Sequence, residues 1–420
     1  MFTVAIIGLG NRGNAYGNFL NKHKEVKITA LCEINGDFLQ DCAKKWIVDC
    51  GKTFTDEREF FAAGRLADVL VIATQDGDHY RHALAALENG YNLLLEKPIS
   101  PRPQECLEIA KLSKQKGLKV VVCHVMRYTP YYIKIKKLID SGAIGDIAHI
   151  NHTENVGYWH FSHSYVRGNW RREEESSPSI LAKCCHDLDI IYWWTGKRCL
   201  SLSSSGKLKY FSNKNAPQDA PQHCLDGCPH EKDCPFHAAK IYYKITPHTL
   251  PLMITNMRLI TKKARPTLKL FKETLKTLPY GRCVFRCDND VMEQQTVNLN
   301  LEKGVTATLN MTAFSKKCYR KFHIYGTKGE MFGNDIDGYF TLNIFGKATR
   351  KIRTNAKLLS IHASSDKSLI SDFVNIMTGK EEKGGVTYID ATLESHIQAY
   401  YAEKARKSGK VEEIKRDSFN

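Results

Sequence analysis

The chain has 420 residues, of which 42% are hydrophobic and 25% charged, enough apolar material for two folded domains and too much for a wholly disordered polypeptide. The formal net charge is +16, and no apolar run approaches the roughly 20 residues of a bilayer span, so no membrane partner is expected. The start, MFTVAIIGLGNRG, is too short and too poor in leading basic residues for a secretory signal; the 14 cysteines are then expected as thiols or metal ligands of a cytoplasmic protein.

In the first 125 residues short β-branched runs alternate with helical patterns. Strands are expected at 3–7, 27–32, 69–73, 92–95 and 119–123, and helices at 14–23, 37–46, 79–89 and 103–116. This alternation marks βαβ units and a parallel, doubly wound Rossmann sheet, here assigned to residues 1–127. Beyond Tyr128 the pattern changes. A helix is expected at 131–141, a long strand at 146–156, a helix at 179–194 and three successive strands within 294–325. Residues 128–420 therefore read as an α+β domain with a large, mostly antiparallel open sheet. Residues 213–281, rich in Pro, Cys and Lys, read as an insertion in it. Within that insertion, 240–276 holds nine Lys or Arg against one acid, Glu273. Such a strip can steer an anionic substrate or meet a partner, though a solvated face is the plainest reading. No nucleic-acid motif surrounds it, so nucleic acid is not the expected partner.

The sharpest motif is Gly8-Leu9-Gly10-Asn11-Arg12-Gly13, which follows a strand and opens a helix. Gly8 allows the tight turn, Gly10 lets a pyrophosphate approach the backbone, and Gly13 lets helix and strand pack closely, with Asn11 and Arg12 in the same turn. The helix N-terminus then faces the phosphates. Glu33, 20 residues after Gly13, falls where an acid accepts hydrogen bonds from the adenine ribose; its charge would repel the 2′-phosphate of NADP and favours NAD.

Ala73-Thr74 through His79, Glu96-Lys97-Pro98 and His186-Asp187-Leu188-Asp189, taken with the glycine loop, resemble the glucose–fructose oxidoreductase / inositol dehydrogenase (Gfo/Idh/MocA) family. Asp146-Ile147, the HIYGTKGE stretch at 323–330, and Glu394-Ser395-His396 before a last helix fit the same pattern. The resemblance covers nearly the whole chain apart from the insertion. It implies a Rossmann domain followed by an open-sheet domain that often forms oligomer contacts, here a dimer or tetramer. It implies oxidation or reduction of a secondary hydroxyl on a sugar, sugar acid or cyclitol, normally without a catalytic metal. Thr74, His79, Glu96, Lys97 and Arg127 are then expected beside the cofactor.

Hydride transfer from a carbinol needs a base for the hydroxyl proton and a cation for the developing oxyanion. His186 suits the first role and Lys97 the second. Many family members carry Asp four residues before that histidine; here the position is Ala182, and Lys183 follows. Lys183 lies three residues before His186, close enough on a helix to share its face and join the catalytic set. Asp189 is one turn beyond and could orient the imidazole or bind a hydroxyl. Tyr128, Tyr158, His160, Arg167 and Trp170 offer sugar-stacking faces and hydroxyl or carboxylate grips, or else form an ordinary surface loop.

Cys224-x3-Cys228-x5-Cys234 has compact thiol spacing that fits a structural Zn or an iron–sulfur cluster, against the plainer reading of buried free thiols, and no fourth ligand is evident. Three functions remain open: an NAD-dependent sugar or cyclitol dehydrogenase, an NAD-retaining hydrolase or lyase working through a transient keto-sugar, and an NAD-binding sensor without turnover.

Overall fold

Six parallel strands form the first sheet because their residues are apolar on both faces, as a sheet covered on each side by helices requires. The computed structural model describes residues 1–243, 250–354, 361–380 and 385–416. The first unit runs β1 (Phe2–Ile7), α1 (Asn11–Leu20), β2 (Val26–Cys32), α2 (Gly36–Trp46), β3 (Thr53–Phe54), α3 (Glu57–Ala62), β4 (Val69–Ile72), α4 (His79–Glu88), β5 (Asn92–Leu95), α5 (Pro103–Gln115) and β6 (Val120–Val122). The sheet order is β3-β2-β1-β4-β5-β6, the doubly wound order. Val4, Ile6, Val69 and Val71 face one core, and Ala5, Ile7, Leu70 and Ile72 the other. Helix α1 starts three residues earlier than the periodicity suggests, because Gly10 is itself the N-cap. β3 and α3 were not expected from sequence, being too short to show a period.

The second unit contains α6 (Pro130–Asp140), β7 (Ile147–Asn155), α7 (Tyr158–Phe161), a π-helical turn at Ser162–Arg167, α8 (Ser179–Thr195) and β8 (Cys199–Lys207). The insertion follows with α9 (Ala238–Tyr242), α10 (Leu250–Thr261) and α11 (Leu268–Thr277); its residues 244–249 lie outside the described residues. Then come β9 (Gln294–Leu301), β10 (Thr306–Thr312), β11 (Tyr319–Gly326), β12 (Gly329–Asn334), β13 (Tyr339–Ile344), β14 (Arg350–Arg353), α12 (Ile361–Met377), α13 (Ile389–Ser408) and β15 (Glu412–Glu413). Nine strands pair in the order β14-β13-β12-β11-β7-β10-β9-β8-β15; β10 runs parallel to β7 and the other pairs are antiparallel. On β9 and β10 the alternation is regular, with Val297, Leu299, Leu301, Ala307, Leu309 and Met311 turned inward against α8 and α13. β8, rich in serine, carries little apolar signal and was not anticipated.

The chain does not leave the first sheet for good at β6. Leu369, Ile370 and Phe373 of α12 complete the core that contains Val4 and Val69. Val122 N–H donates to Thr387 O at 2.8 Å, so residues near the C-terminus line the β6 edge. The insertion has a small core of its own, built from Cys224, Tyr242, Met257, Ile260, Phe271 and Leu275. Among the described residues, no helix is long and apolar enough to cross a membrane.

Helices α1 and α2 touch through Gly17, where a Cβ would stand 2.3 Å from the Trp46 ring. Gly17→Ala is expected to reduce the unfolding free energy by about 1–3 kcal/mol through overpacking. A lower urea midpoint with an unchanged slope is the expected reading, and an unchanged midpoint would show that Trp46 can swing aside.

Candidate functional site

The glycine turn closes where the backbone leaves no alternative. Gly8 has φ +85°, and a Cβ there would lie 2.5 Å from Ala73 O; a Cβ on Gly13 would lie 1.9 Å from Gly8 O. Gly10 differs: its Cβ direction is open to 4 Å. Since Gly10 caps α1 without a side-chain hydrogen bond, and the first turn holds no acid, the N–H groups at this helix end remain for an anion. Glu33 closes the turn from the end of β2, accepting from Leu9 N (2.6 Å) and Asn35 N (2.9 Å). An open backbone cradle beside a carboxylate fits the diphosphate and ribose of a dinucleotide.

Thr74 and His79 tie the turn after β4 to the one after β5. His79 Nδ1 lies 2.7 Å from Pro98 O and Nε2 3.3 Å from Thr74 O, while Thr74 Oγ1 meets His82 Nδ1 at 3.0 Å. Arg12 reaches Glu96 (2.7 Å) and Asp366 on α12 (2.6 Å), instead of pointing to the phosphate cradle. Tyr16 donates to the same Glu96 oxygen at 2.5 Å. Burial would raise the Glu96 carboxyl, but Arg12 and Lys97 hold it below the ordinary range.

Lys97 extends from the end of the first sheet to α8, where its Nζ donates to Ala182 O at 2.8 Å. His186 stands one turn further along the same helix, buried, with Nδ1 unpartnered among the described residues. Its ring meets that of His124 edge to face at 5.4 Å between centroids, and His124 meets His396 the same way at 5.8 Å. His396 Nε2 accepts from Ile99 N at 2.9 Å, fixing the turn after Lys97. Burial, then Arg127 and Lys97, push His124 well below the ordinary imidazole range; burial, then Lys97 and His124, do the same to His186. Burial brings His396 to about 3. Sequence reasoning missed His124, although a polar residue just beyond a strand of a doubly wound sheet is where a ligand crevice opens.

Other expected site residues are engaged elsewhere. Arg127 and Asp189 bind each other through two hydrogen bonds (2.8 and 2.6 Å), both fully buried, and Arg127 also donates to Ala391 O (2.9 Å). Burial raises the Asp189 carboxyl despite that pair. Tyr128 turns to Thr387, with 3.2 Å between hydroxyls. Lys183 meets Glu154 at 3.4 Å, in a buried network where Arg320 bridges Glu154 and Asp187 (2.8 Å each) and His152 meets Asp187 at 2.8 Å.

Trp170 Nε1 donates to both carboxylate oxygens of Asp76 (3.2 and 3.1 Å), and Ser177 Oγ to one of them (2.9 Å). This joins the loop before α8 to the turn after β4, and Asp76, unnoticed in the sequence, is its hub. Tyr158 packs on Phe236 of the insertion at 5.9 Å, and His160 stacks on Trp159 at 5.5 Å. Arg167 is wholly buried beneath the insertion, donating to Arg282 O (2.7 Å), Phe236 O (2.8 Å) and Cys224 Sγ (3.6 Å).

Cys224, Cys228 and Cys234, expected as metal ligands, are not brought together as a donor set. Among the described residues no three His, Cys, Asp or Glu side chains are placed to hold an ion. Cys224 is occupied by Arg167 and by Arg282 O (3.6 Å), and His237 uses both ring nitrogens, on Cys224 O (2.8 Å) and Ala239 N (3.3 Å). Hydrogen bonds from a buried guanidinium hold this segment.

The sheet order, the glycine cradle and the lysine reaching α8 define a dinucleotide-binding oxidoreductase scaffold. The chain belongs to the Gfo/Idh/MocA oxidoreductase family: residues 2–124 match its NAD-binding Rossmann fold and residues 136–411 its C-terminal alpha/beta domain. Over 199 residues it is 29% identical to the inositol 2-dehydrogenase/D-chiro-inositol 3-dehydrogenase of Lactiplantibacillus plantarum, covering 45% of this chain and 51% of that protein. It is 25% identical over 201 residues to the 2,7-anhydro-N-acetylneuraminate hydratase of Escherichia coli, covering 47% and 50%. The chain thus spans about half the length of the curated relatives it matches. Its fold is similar to the crystal structure of scyllo-inositol dehydrogenase from Lactobacillus casei with bound NAD(H) and scyllo-inositol, at TM-score 0.67 and 18% identity over 99% of both chains.

The buried histidines give the fold a pH signature. His124, His163, His186 and His396 are held neutral when folded, His396 to about 3 and His163 to about 4, whereas an unfolded imidazole takes its proton near 6.5. Their contribution to stability is therefore complete above about pH 6.5 and is lost as the pH falls toward 4 and 3. The urea midpoint should decline from pH 7 to pH 4.5, less steeply in His124→Phe; equal slopes for the two proteins would contradict this.

Proposed function

We propose that this protein is an NAD-dependent enzyme that moves a hydride between nicotinamide and a secondary hydroxyl of a sugar, sugar acid or cyclitol. The observation that carries the reading is Lys97, brought from the end of the nucleotide-binding sheet onto the helix of His186. NAD, when bound along the glycine cradle, Glu33 and the Thr74–His79 turn, supplies the hydride acceptor. His186, neutral and with Nδ1 unpartnered among the described residues, takes the hydroxyl proton. The Lys97 ammonium stabilises the charge that grows on the same oxygen, and Lys183 adds positive field that keeps His186 unprotonated. The usual aspartate is replaced by Ala182, so Lys97 rests on a backbone carbonyl. Tyr158, His160 and Trp170 are the aromatic surfaces proposed for the substrate.

Absorbance growth at 340 nm with cyclitols, neutral sugars or acidic sugars tests the reading and names the substrate class. Lys97→Met and His186→Asn should each lower kcat about 10²–10⁴-fold while NAD still binds. Because His186 is held neutral, kcat/KM should stay flat from pH 8 to pH 6, without the fall near 6.5 of an ordinary imidazole. Unchanged turnover in Lys97→Met would remove Lys97 from the chemistry.

A second reading is favoured by the similarity to a hydratase. Hydration leaves a substrate's overall oxidation level unchanged, as does a cycle in which a retained NAD oxidises a hydroxyl, elimination or addition follows, and the hydride returns. Substrate consumption without net growth at 340 nm would select it. Self-association through the open face of the nine-stranded sheet is proposed as well. That face carries a polar ladder in which Thr308 donates to Asn298 at 3.1 Å. Light scattering should give a dimer or tetramer, and the mass of one chain would exclude it.

A further inference from the structure

The insertion is rooted in the second domain, where buried Arg167 donates to Arg282 O and Phe236 O. Its α10 and the turn after it, however, lie against the first domain. Asn35 Nδ2 donates to Lys262 O at 3.0 Å, and Ala264 N–H donates to Asp37 at 2.6 Å. Arg258 pairs with Asp41 at 3.3 Å, and its guanidinium lies 4.8 Å from the centre of the Phe38 ring. All four partners belong to the β2–α2 turn or to α2 itself. Asn35 and Asp37 stand two and four residues beyond Glu33, and Asn35 N–H shares the Glu33 carboxylate with the glycine turn. In a Rossmann domain this turn borders the adenosine half of the dinucleotide.

We infer that residues 258–265 of the insertion form the outer wall of the adenosine half of the cofactor site and hold the bound nucleotide in place. The inference rests on the NAD reading above. Three observations carry it together. The two central contacts use the backbone of Lys262 and Ala264, so they fix the path of the chain as well as one side chain. Lys262 adopts φ +52°, a left-handed conformation rare for a non-glycine residue, at the point where Asn35 takes its carbonyl. Lys262, Lys263 and Arg265 bring part of the basic strip to this edge, and their field favours the approach of an anionic dinucleotide. A nucleotide walled in by a segment anchored in both domains leaves slowly, because release requires that the segment lift.

The experiment compares the intact protein with Arg258→Ala and Asp41→Ala, following NADH and ADP-ribose by stopped-flow fluorescence and displacement. Dissociation of both ligands should quicken about tenfold in each variant while association changes less than about twofold, the pattern of a lost retaining contact. Cleavage by trypsin after Lys262 and Lys263 should slow when ADP-ribose is present. If Arg258→Ala does not fold, Asp41→Ala and the protease protection decide. Unchanged dissociation in the folded variants, or protection indifferent to ADP-ribose, overturns the wall while leaving NAD binding intact. Failure of the unaltered protein to bind either ligand overturns the NAD reading and the wall with it.

Discussion

The structure turns on the buried ion pair between Arg127 and Asp189. Removing both charges from water costs several kcal/mol each, and only a two-pronged, fully bonded geometry offsets it. That geometry is met here, at 2.8 and 2.6 Å, with a further guanidinium N–H on Ala391 O. The pair therefore fixes three things against one another: the segment leaving β6, helix α8 and the start of α13. His124, His186 and His396 stand on those same segments, and Lys97 reaches α8 beside them. A shift of α8 large enough to displace His186 would have to break a contact that leaves a bare charge in the interior.

Around this pair the electrostatics point one way. Lys97, Lys183, Arg127 and Arg320 surround imidazoles that burial already disfavours as cations, so the histidines stay neutral and able to accept a proton. The carboxylates are paired: Glu96 with Arg12, Asp187 and Glu154 with Arg320, Asp189 with Arg127. A centre of neutral bases with fixed positive charge suits a reaction in which an alkoxide forms.

The two domains are joined at several independent places, each with a different physical character. Arg12 and Asp366 make an ionic link between the glycine turn and α12, and Trp170 with Asp76 a polar one between the loop before α8 and the turn after β4. The apolar residues of α12 add a hydrophobic link. The insertion adds a fourth from its own small core. These links leave the β2–α2 turn, the glycine cradle and the crevice at the ends of β4, β5 and β6 bounded on several sides.

Features dictated by local geometry were legible in the sequence alone. Apart from β3 and α3, the strands and helices of the first domain could be read because their periodicities lie within a few residues. The cradle was legible because Gly8 takes a positive φ and Gly13 packs on Gly8 O inside one βαβ unit, and Glu33 because the same unit sets its spacing. The family followed from the order of short motifs. The partners of the charged residues were not legible. Arg12 is captured by Asp366 and Arg127 by Asp189, Arg167 serves the insertion instead of a substrate, and Cys224 accepts a guanidinium where a metal was expected. A residue's type says what it can bind, but a charge taken out of water must be met by whatever the closing fold brings within reach. That choice exists only once distant segments have packed, so tertiary structure alone decided it.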